Sequence, residues 1–333
     1  MSGSRKDVKS QADLPRSMNA AAIDRYGPAM ELKPYVLPIP QPQPNQVLIA
    51  NYAAGVGVWD IQTRDGSWQP RGHVTPPIVI GTDSAGIVAK LGSDVTEFEV
   101  GERVYAYGYG DFYAAYTAVD VDRVGRIPEH MNFLEAAAVV VPGLTDLQGL
   151  EDILKLKAGE TLLVFGASGS MGTLAIQFAK ARGVRVIATA SGEDSQKLVL
   201  RLGADIVLDA RRDDAAQQLR RLAPNGIEAA FVLAGGTTLE NCLESVQPGG
   251  RIAFPYGAEP APRSRPHISV TGYNLVAGRK EMDRLTRLSI EAKLHVPVAS
   301  VYPLEKAAEA HLRLEEGRVP GRIVLRTKLT TTD

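Results

Sequence analysis

The sequence predicts an α/β protein made of a β-rich N-terminal domain and a doubly wound parallel-sheet domain. Three observations predict it. From about residue 141, near-continuous apolar runs (TLLVFG, VRVIATA, ADIVLDA, AAFVLAGG, GRIAFPYG) alternate with helix-like segments, as strands buried on both faces by helices do. The first of these runs breaks into GASGSMG, where Gly166, Gly169 and Gly172 stand between a strand and a helix. Before residue 141 the apolar stretches (VLIANYAAGV, PPIVIGTDSAGIVAKLG, VGERVYAYG, YAAYTAV) are short and cut by glycine and proline, the habit of strands and turns.

In chain order, residues 1–17 (MSGSRKDVKSQADLPRS) are polar and lack the apolar stretch of a secretory signal, so a disordered tail is expected. Residues 18–140 form the β-rich part. Within it PQPQPN (40–45) is proline-dense but flanked by strand-like sequence, and reads as an extended loop rather than a boundary. Residues 141–275 carry the β/α alternation. Its helical segments MGTLAIQFAKARG, SQKLVLRLG and TTLENCLESVQPGG each end at glycine, a helix C-terminal signal. Residues 276–333 supply a long helical stretch (KEMDRLTRLSIEAKL), the proline-bounded VPVASVYPLE, a second helix (EKAAEAHLRLEEG) and a last strand, GRIVLR.

A chain of 333 residues has room for two cores. Its net charge of −1 gives no bulk attraction for nucleic acid or anionic lipid, and no apolar run reads as long enough to span a bilayer. The single cysteine, Cys242, excludes an intrachain disulfide and a site of several thiolates, and makes a cytoplasmic location the default. Cys242 itself, among apolar helix neighbours, reads as core. His73, His130, His267, His295 and His311 show no ligand spacing and are expected mostly at the surface, with His267 a candidate for the edge of a cleft.

A strand that passes through GASGSMG into a helix leaves backbone N–H groups at the helix N-terminus, where the helix dipole favours an anion. A bare tight turn that binds nothing would also use glycines. The alternating strands that follow favour a dinucleotide pyrophosphate held by Gly166, Ala167, Ser168, Gly169, Ser170, Met171 and Gly172. The second strand ends in Thr189, Ala190, Ser191 and Gly192, with no carboxylate at its tip to repel a ribose 2′-phosphate. NADPH is therefore expected rather than NADH, with Ser191 as a phosphate donor and Glu193 and Asp194 facing solvent at the start of the next helix.

The pieces AAGVGVWDIQTRDG, PPIVIGTDSAGIVAKLGSDV, FEVGERVYAY, LTDLQGLEDILKLKAGETLLVFGASGSMG, LGADIVLD, PGGRIAFPYG and GRIVLR stand in one order along residues 18–327. Through them the chain resembles the zinc-free quinone oxidoreductase branch of the medium-chain dehydrogenase/reductase superfamily. The resemblance implies a GroES-like catalytic domain (18–140 with 276–333) and a Rossmann NADPH-binding domain (141–275). It implies a homodimer formed through HISVTGY, and hydride transfer to a quinone or an α,β-unsaturated carbonyl. Cofactor contacts carried over are Thr145, which alternatively reads as a helix N-cap, and Lys197. Gly235, Tyr256 and Gly257 join them, as does Arg211 in place of a tyrosine absent at Ala210. Arg318 and Arg322 near GRIVLR complete the set.

No metal is expected: Gly57 stands where the zinc-dependent branch has cysteine, Thr82 and Asp83 where it has a His-Glu pair, and one cysteine cannot replace four. Gly57 and Gln62 also depart from an asparagine and a tyrosine of the relatives. Trp59, Trp68, Tyr109 and Tyr113 join them as candidate pocket residues, with simple packing the alternative reading for the aromatics. Asp60 reads as a loop-ordering acceptor, and no residue stands out as catalytic acid. An enoyl-thioester reductase and a non-catalytic NADPH-binding protein are the alternative functions.

Overall fold

A computed structural model describes residues 14–72 and 74–327. His73 and most of the expected tail lie outside the described residues, while Ser17, assigned to the tail, begins the first strand.

The chain divides into two compact units. The first takes residues up to Ala137, then Val301–Glu315 and Val324 onward. Here β1 (Ser17–Ile23) pairs antiparallel with β2 (Lys33–Pro38) and, through its last residues, with β4 (Ile78–Val79). A larger sheet is centred on β3 (Gln46–Val56), which pairs with β5 (Asp83–Leu91) and β7 (Tyr116–Asp120). Beyond β5 lie β6 (Arg103–Tyr107) and β8 (Val124–Arg126), and β15 (Val298–Pro303) and β16 (Arg322–Arg326) extend the other edge. Alternate residues Val47 and Ile49 of β3 bury against Val88, Val104, Ala106, Phe112, Val119 and Val124 to form the sheet's core. The PQPQPN stretch is an extended loop pinned by Gln46 N–H to Gln43 O (2.9 Å) and Asp94 N–H to Pro44 O (2.9 Å). The helix α1 (Val58–Asp65) has no counterpart in the sequence expectation. It is stopped by Gly66, whose φ of +85° lets its N–H reach Gln62 O. Near the end of the chain α8 (Ala307–Glu315) buries Ala307, Ala310 and His311.

The helix α2 (Phe133–Leu147) runs on through a π-helical turn at Gln148–Ile153. Against the sequence expectation, this stretch is long and apolar enough by composition to cross a membrane, yet 83% of its most apolar window is buried within the protein. The apolarity serves a core.

The second unit, Ala138–Ser300 with Glu316–Ile323, is the doubly wound domain. Its strands are β9 (Thr161–Phe165), β10 (Arg185–Thr189), β11 (Ile206–Leu208), β12 (Ile227–Val232), β13 (Val246–Pro255) and β14 (Ser269–Tyr273). All pair in parallel, in the order β11-β10-β9-β12-β13-β14. Counted along the chain this is 3-2-1-4-5-6, the Rossmann order. The connecting helices are α3 (Ser170–Ala181), α4 (Glu193–Arg201), α5 (Ala215–Leu222) and α6 (Leu239–Leu243). Leu163, Phe165, Ile187, Ala230, Val232 and Ile252 bury under them, as does Cys242, whose thiol burial pushes up to about 11.

The second unit extends past the boundary expected at residue 275. The helix α7 (Arg279–Glu291) belongs to it because Arg284 donates to Leu147 O at 2.8 Å and pairs with Asp152 at 3.0 Å and with Glu151. The Gln177 side chain then donates Nε2–H to His295 O (2.8 Å) and accepts His295 N–H on Oε1 (2.9 Å). None of these partners is near in sequence.

Candidate functional site

The glycine turn leaves β9 at the point where the sheet order reverses, between β9 and β12. Gly166 has φ +89°, a conformation that side chains resist, and its N–H donates to Thr189 Oγ1 at 2.9 Å. Ala167 N–H donates to Thr189 O at 3.0 Å, which clamps the turn to the tip of β10. The helix α3 follows Gly169 without any side-chain cap, so the first-turn N–H groups around Ser170, Met171 and Gly172 keep their capacity for an anion. A Cβ on Gly172 would lie 2.4 Å from Ala167 Cα, whereas one on Gly169 would meet only Gly166 O at 3.7 Å. Gly172 therefore lets the helix approach the strand, and Gly169 keeps the phosphate side open.

From far along the chain, Gly321 N–H donates to Ser168 O at 3.0 Å and Gly321 bridges to Gly169. This brings the segment carrying exposed Arg318 and buried Arg322 onto the same turn. Across the reversal point a Cβ on Gly235 would sit 2.0 Å from Glu259 O. Beyond β13 come Tyr256, edge-on to Phe254 at 6.1 Å, and Gly257 with φ +102°. Gly166–Gly172, Gly235, Tyr256 and Gly257 thus follow the carboxyl ends of β9, β12 and β13, where such sheets place ligands.

The tip of β10 differs in one respect from the expectation. Gly192 (φ +87°) does introduce α4, and Glu193 and Asp194 occupy its first turn. The Ser191 hydroxyl, however, donates to Asp209 Oδ1 at 2.8 Å. Arg211 also grips Asp209, through its backbone N–H (3.0 Å), Nε (3.2 Å) and NH2 (3.0 Å), and Lys197 pairs with Glu193. The Arg211 guanidinium holds the Asp209 carboxyl well below the usual carboxylate range.

Thr145 is no N-cap, because it lies inside α2, where its hydroxyl donates to Val141 O at 2.7 Å. Its carbonyl accepts the Tyr273 hydroxyl at 2.8 Å. The next residue, Asp146, is fully buried, neither of its carboxyl oxygens has a hydrogen-bond partner, and burial pushes it well above the usual carboxylate range. Nothing in LTDLQGL announces this.

In the first unit Asp60 orders the loop as expected: it accepts Gly57 N–H at 2.7 Å and the Thr82 hydroxyl at 3.1 Å, and it is fully buried. Gly57 and Thr82, which stand where the zinc-dependent branch is expected to carry metal ligands, are thus both held by Asp60. No group of three or more His, Cys, Asp or Glu side chains disposed for a metal occurs among the described residues. Beside this loop the aromatics form a run. Trp59 lies 5.1 Å from Trp68, Trp68 6.0 Å from Tyr109, and Tyr109 5.5 Å from Tyr107, with the Arg123 guanidinium 4.8 Å over Tyr109. Gln62 sits at the end of α1 with its carbonyl bound to the N–H groups of Gly66 and Trp68. Tyr107 was not among the expected residues.

Tyr113 was, with packing as its alternative reading, and the structure supports the packing. It is completely buried, with its hydroxyl 3.1 Å from His311 Nε2, so it packs the core and lines no pocket. His311 is equally buried, whereas His130, His267 and His295 are exposed as expected.

Known proteins match this arrangement. Residues 43–129 match the alcohol dehydrogenase GroES-like domain family and residues 170–288 the zinc-binding dehydrogenase family. A quinone oxidoreductase of Sus scrofa is 32% identical over 92% of this chain and 97% of its own. Among solved structures, the Escherichia coli quinone oxidoreductase complexed with NADPH is 26% identical, with a TM-score of 0.82 over 92% of this chain and 99% of that one. An NAD-dependent alcohol dehydrogenase is 30% identical, with a TM-score of 0.86 over 93% of this chain and 100% of that one.

Proposed function

We propose that this chain, which belongs to the zinc-free quinone oxidoreductase branch of the medium-chain dehydrogenase/reductase superfamily, is an NADPH-dependent reductase of quinones or α,β-unsaturated carbonyls that works without a metal. The observation that carries the reading is the uncapped N-terminus of α3, opened by Gly169 and brought against the sheet by Gly172 at the reversal point of a 3-2-1-4-5-6 sheet. These residues fit a pyrophosphate, since the open face beside Gly169 is one that a larger side chain would fill. The relative solved with NADPH supports the phosphorylated cofactor, and the relative described as NAD-dependent is the rival precedent.

When bound, the nicotinamide supplies the hydride chemistry. The chain's part is to hold the pyrophosphate on the α3 N–H groups and the ribose side on Ser191 and nearby cations. Thr145 stands in α2 beside Asp146, whose acidity burial weakens. The Asp60 network fixes the Gly57 loop, and the Trp59–Trp68–Tyr109 run offers aromatic contacts to a conjugated acceptor.

The test is NADPH consumption against a panel of quinones, enones, enals and enoyl thioesters, with and without a chelator. Quinones or enones are expected to react fastest, and the chelator to change nothing. Fastest turnover of a crotonyl thioester would favour the enoyl-thioester reductase, and binding without turnover of any acceptor a non-catalytic protein. About one zinc per chain with chelator-sensitive activity would overturn the metal-free reading.

A cytoplasmic homodimer completes the proposal. Strand β14 is the outer strand of the parallel sheet and is only partly covered. An open strand edge of this kind is a hazard that pairing with a second copy removes. Light scattering at micromolar concentration is expected to give twice the 35.7 kDa chain mass, and the mass of one chain would refute the dimer.

A further inference from the structure

We infer that Asp209 is a specificity-determining residue of the cofactor site, one that works against the 2′-phosphate by holding its two nearest donors. The inference rests on the reading of the β10 tip as the adenosine-ribose end. Strand β11 runs parallel to β10 with Thr189 opposite Leu208, so the residue that follows β11, Asp209, stands beside the turn that begins at Ala190. Ala190 N–H donates to Leu208 O at 3.0 Å and fixes that neighbourhood. From there Asp209 takes the Ser191 hydroxyl at 2.8 Å and three donors of Arg211.

The tip of β10 itself carries no acidic side chain, which is why the sequence reads as selective for the phosphorylated cofactor. The neighbouring strand restores a carboxylate there. Ser191 has one hydroxyl proton, and it is spent on Asp209; Arg211 is folded back along the same carboxylate. The Asp209 side chain is 18% exposed, so it is a fixed part of the turn, while the Lys197–Glu193 pair is 63% and 79% exposed and yields at little cost. A 2′-phosphate must draw Ser191 and Arg211 away from Asp209 and accept a carboxylate as neighbour. A cofactor with a 2′-hydroxyl has neither task. Asp209 therefore keeps the preference for NADPH over NADH smaller than Ser191, Lys197 and Arg211 alone would make it.

The experiment measures dissociation constants of both reduced dinucleotides by nicotinamide fluorescence, with the full chain and with Asp209→Asn. Asparagine keeps an acceptor for Ser191 and for the Arg211 N–H and removes the charge. NADPH binding is expected to tighten about tenfold while NADH changes by less than about threefold, and added salt is expected to shrink the difference. The double variant Asp209→Asn with Ser191→Ala is expected to lose part of the gain, because the phosphate then has no Ser191 hydroxyl to accept from. An unchanged or weakened preference for NADPH over NADH in a variant that still binds NADH would overturn the inference and leave the cofactor site standing. Failure of the wild-type chain to bind either dinucleotide would sink the site and the inference together.

Discussion

Gly172→Ala is expected to weaken NADPH binding by about a hundredfold and to destabilise the second unit by roughly 1–3 kcal/mol, whereas Gly169→Ala is expected to weaken binding and leave stability unchanged. The added methyl at position 172 would lie 2.4 Å from Ala167 Cα and 2.6 Å from its carbonyl carbon and oxygen. All three are backbone atoms, and Ala167 is fixed by its bond to Thr189 O, so the strand turn cannot give way. The helix must move instead, and its N-terminal N–H groups leave the place they share with the anion. At Gly169 the geometry is the reverse. Its φ of −74° suits any residue, and an added Cβ finds no protein atom closer than 3.7 Å, so the fold accepts it while the phosphate loses its room. Urea unfolding of the second unit and fluorescence titration with NADPH separate the two effects. Undiminished binding by Gly169→Ala would show that this turn holds no pyrophosphate.

What the sequence made legible was local. The strand runs of the second unit are continuously apolar, and the glycine turn lies within a few residues of both the strand and the helix it joins, so their place in the sheet follows from the alternation alone. What it hid depends on partners distant along the chain. The assignment of α7 to the second unit rests on Arg284 meeting Glu151 and Asp152. The hold of Asp209 on Ser191 needs the register of β10 against β11, which no single strand records. The helix α1 escaped because VWDIQTRD lacks an apolar stripe and sits among β-strands. His311 left a signal that went unread: Ala307, Ala310 and His311 fall at i, i+3 and i+4, the spacing of a buried helix face.

That histidine sets the acid limit of the first unit. Arg64, 3% exposed, donates Nε to Gly27 O at 3.0 Å and NH2 to Glu315 at 2.6 Å, and its NH1 stands 3.2 Å from His311 Nδ1. A guanidinium can only donate, so Nδ1 must offer its lone pair, and the ring proton lies on Nε2, facing the Tyr113 hydroxyl at 3.1 Å. A second proton would turn an N–H toward a cation inside the core. Burial, and after it the charge of Arg64, accordingly lowers His311 to about 3. The sign follows. The unfolded chain takes up this proton near the ordinary histidine value of about 6.5, the folded chain only near 3, so the stabilisation is complete above 6.5 and is lost as pH falls through the window between them. The slope is up to about 1.4 kcal/mol per pH unit. Between about pH 6.5 and 5.5 carboxylates of ordinary pKa remain mostly ionised, so the loss there belongs to the histidine. Both tryptophans of the chain, Trp59 and Trp68, lie in the first unit, and their fluorescence reports its unfolding without interference from the second. His311→Gln keeps a neutral side chain that can accept from Arg64 or donate to Tyr113. The wild-type urea midpoint is expected to fall from pH 6.5 to 5.5 and the His311→Gln midpoint to stay nearly level, and parallel slopes for the two proteins would refute the assignment.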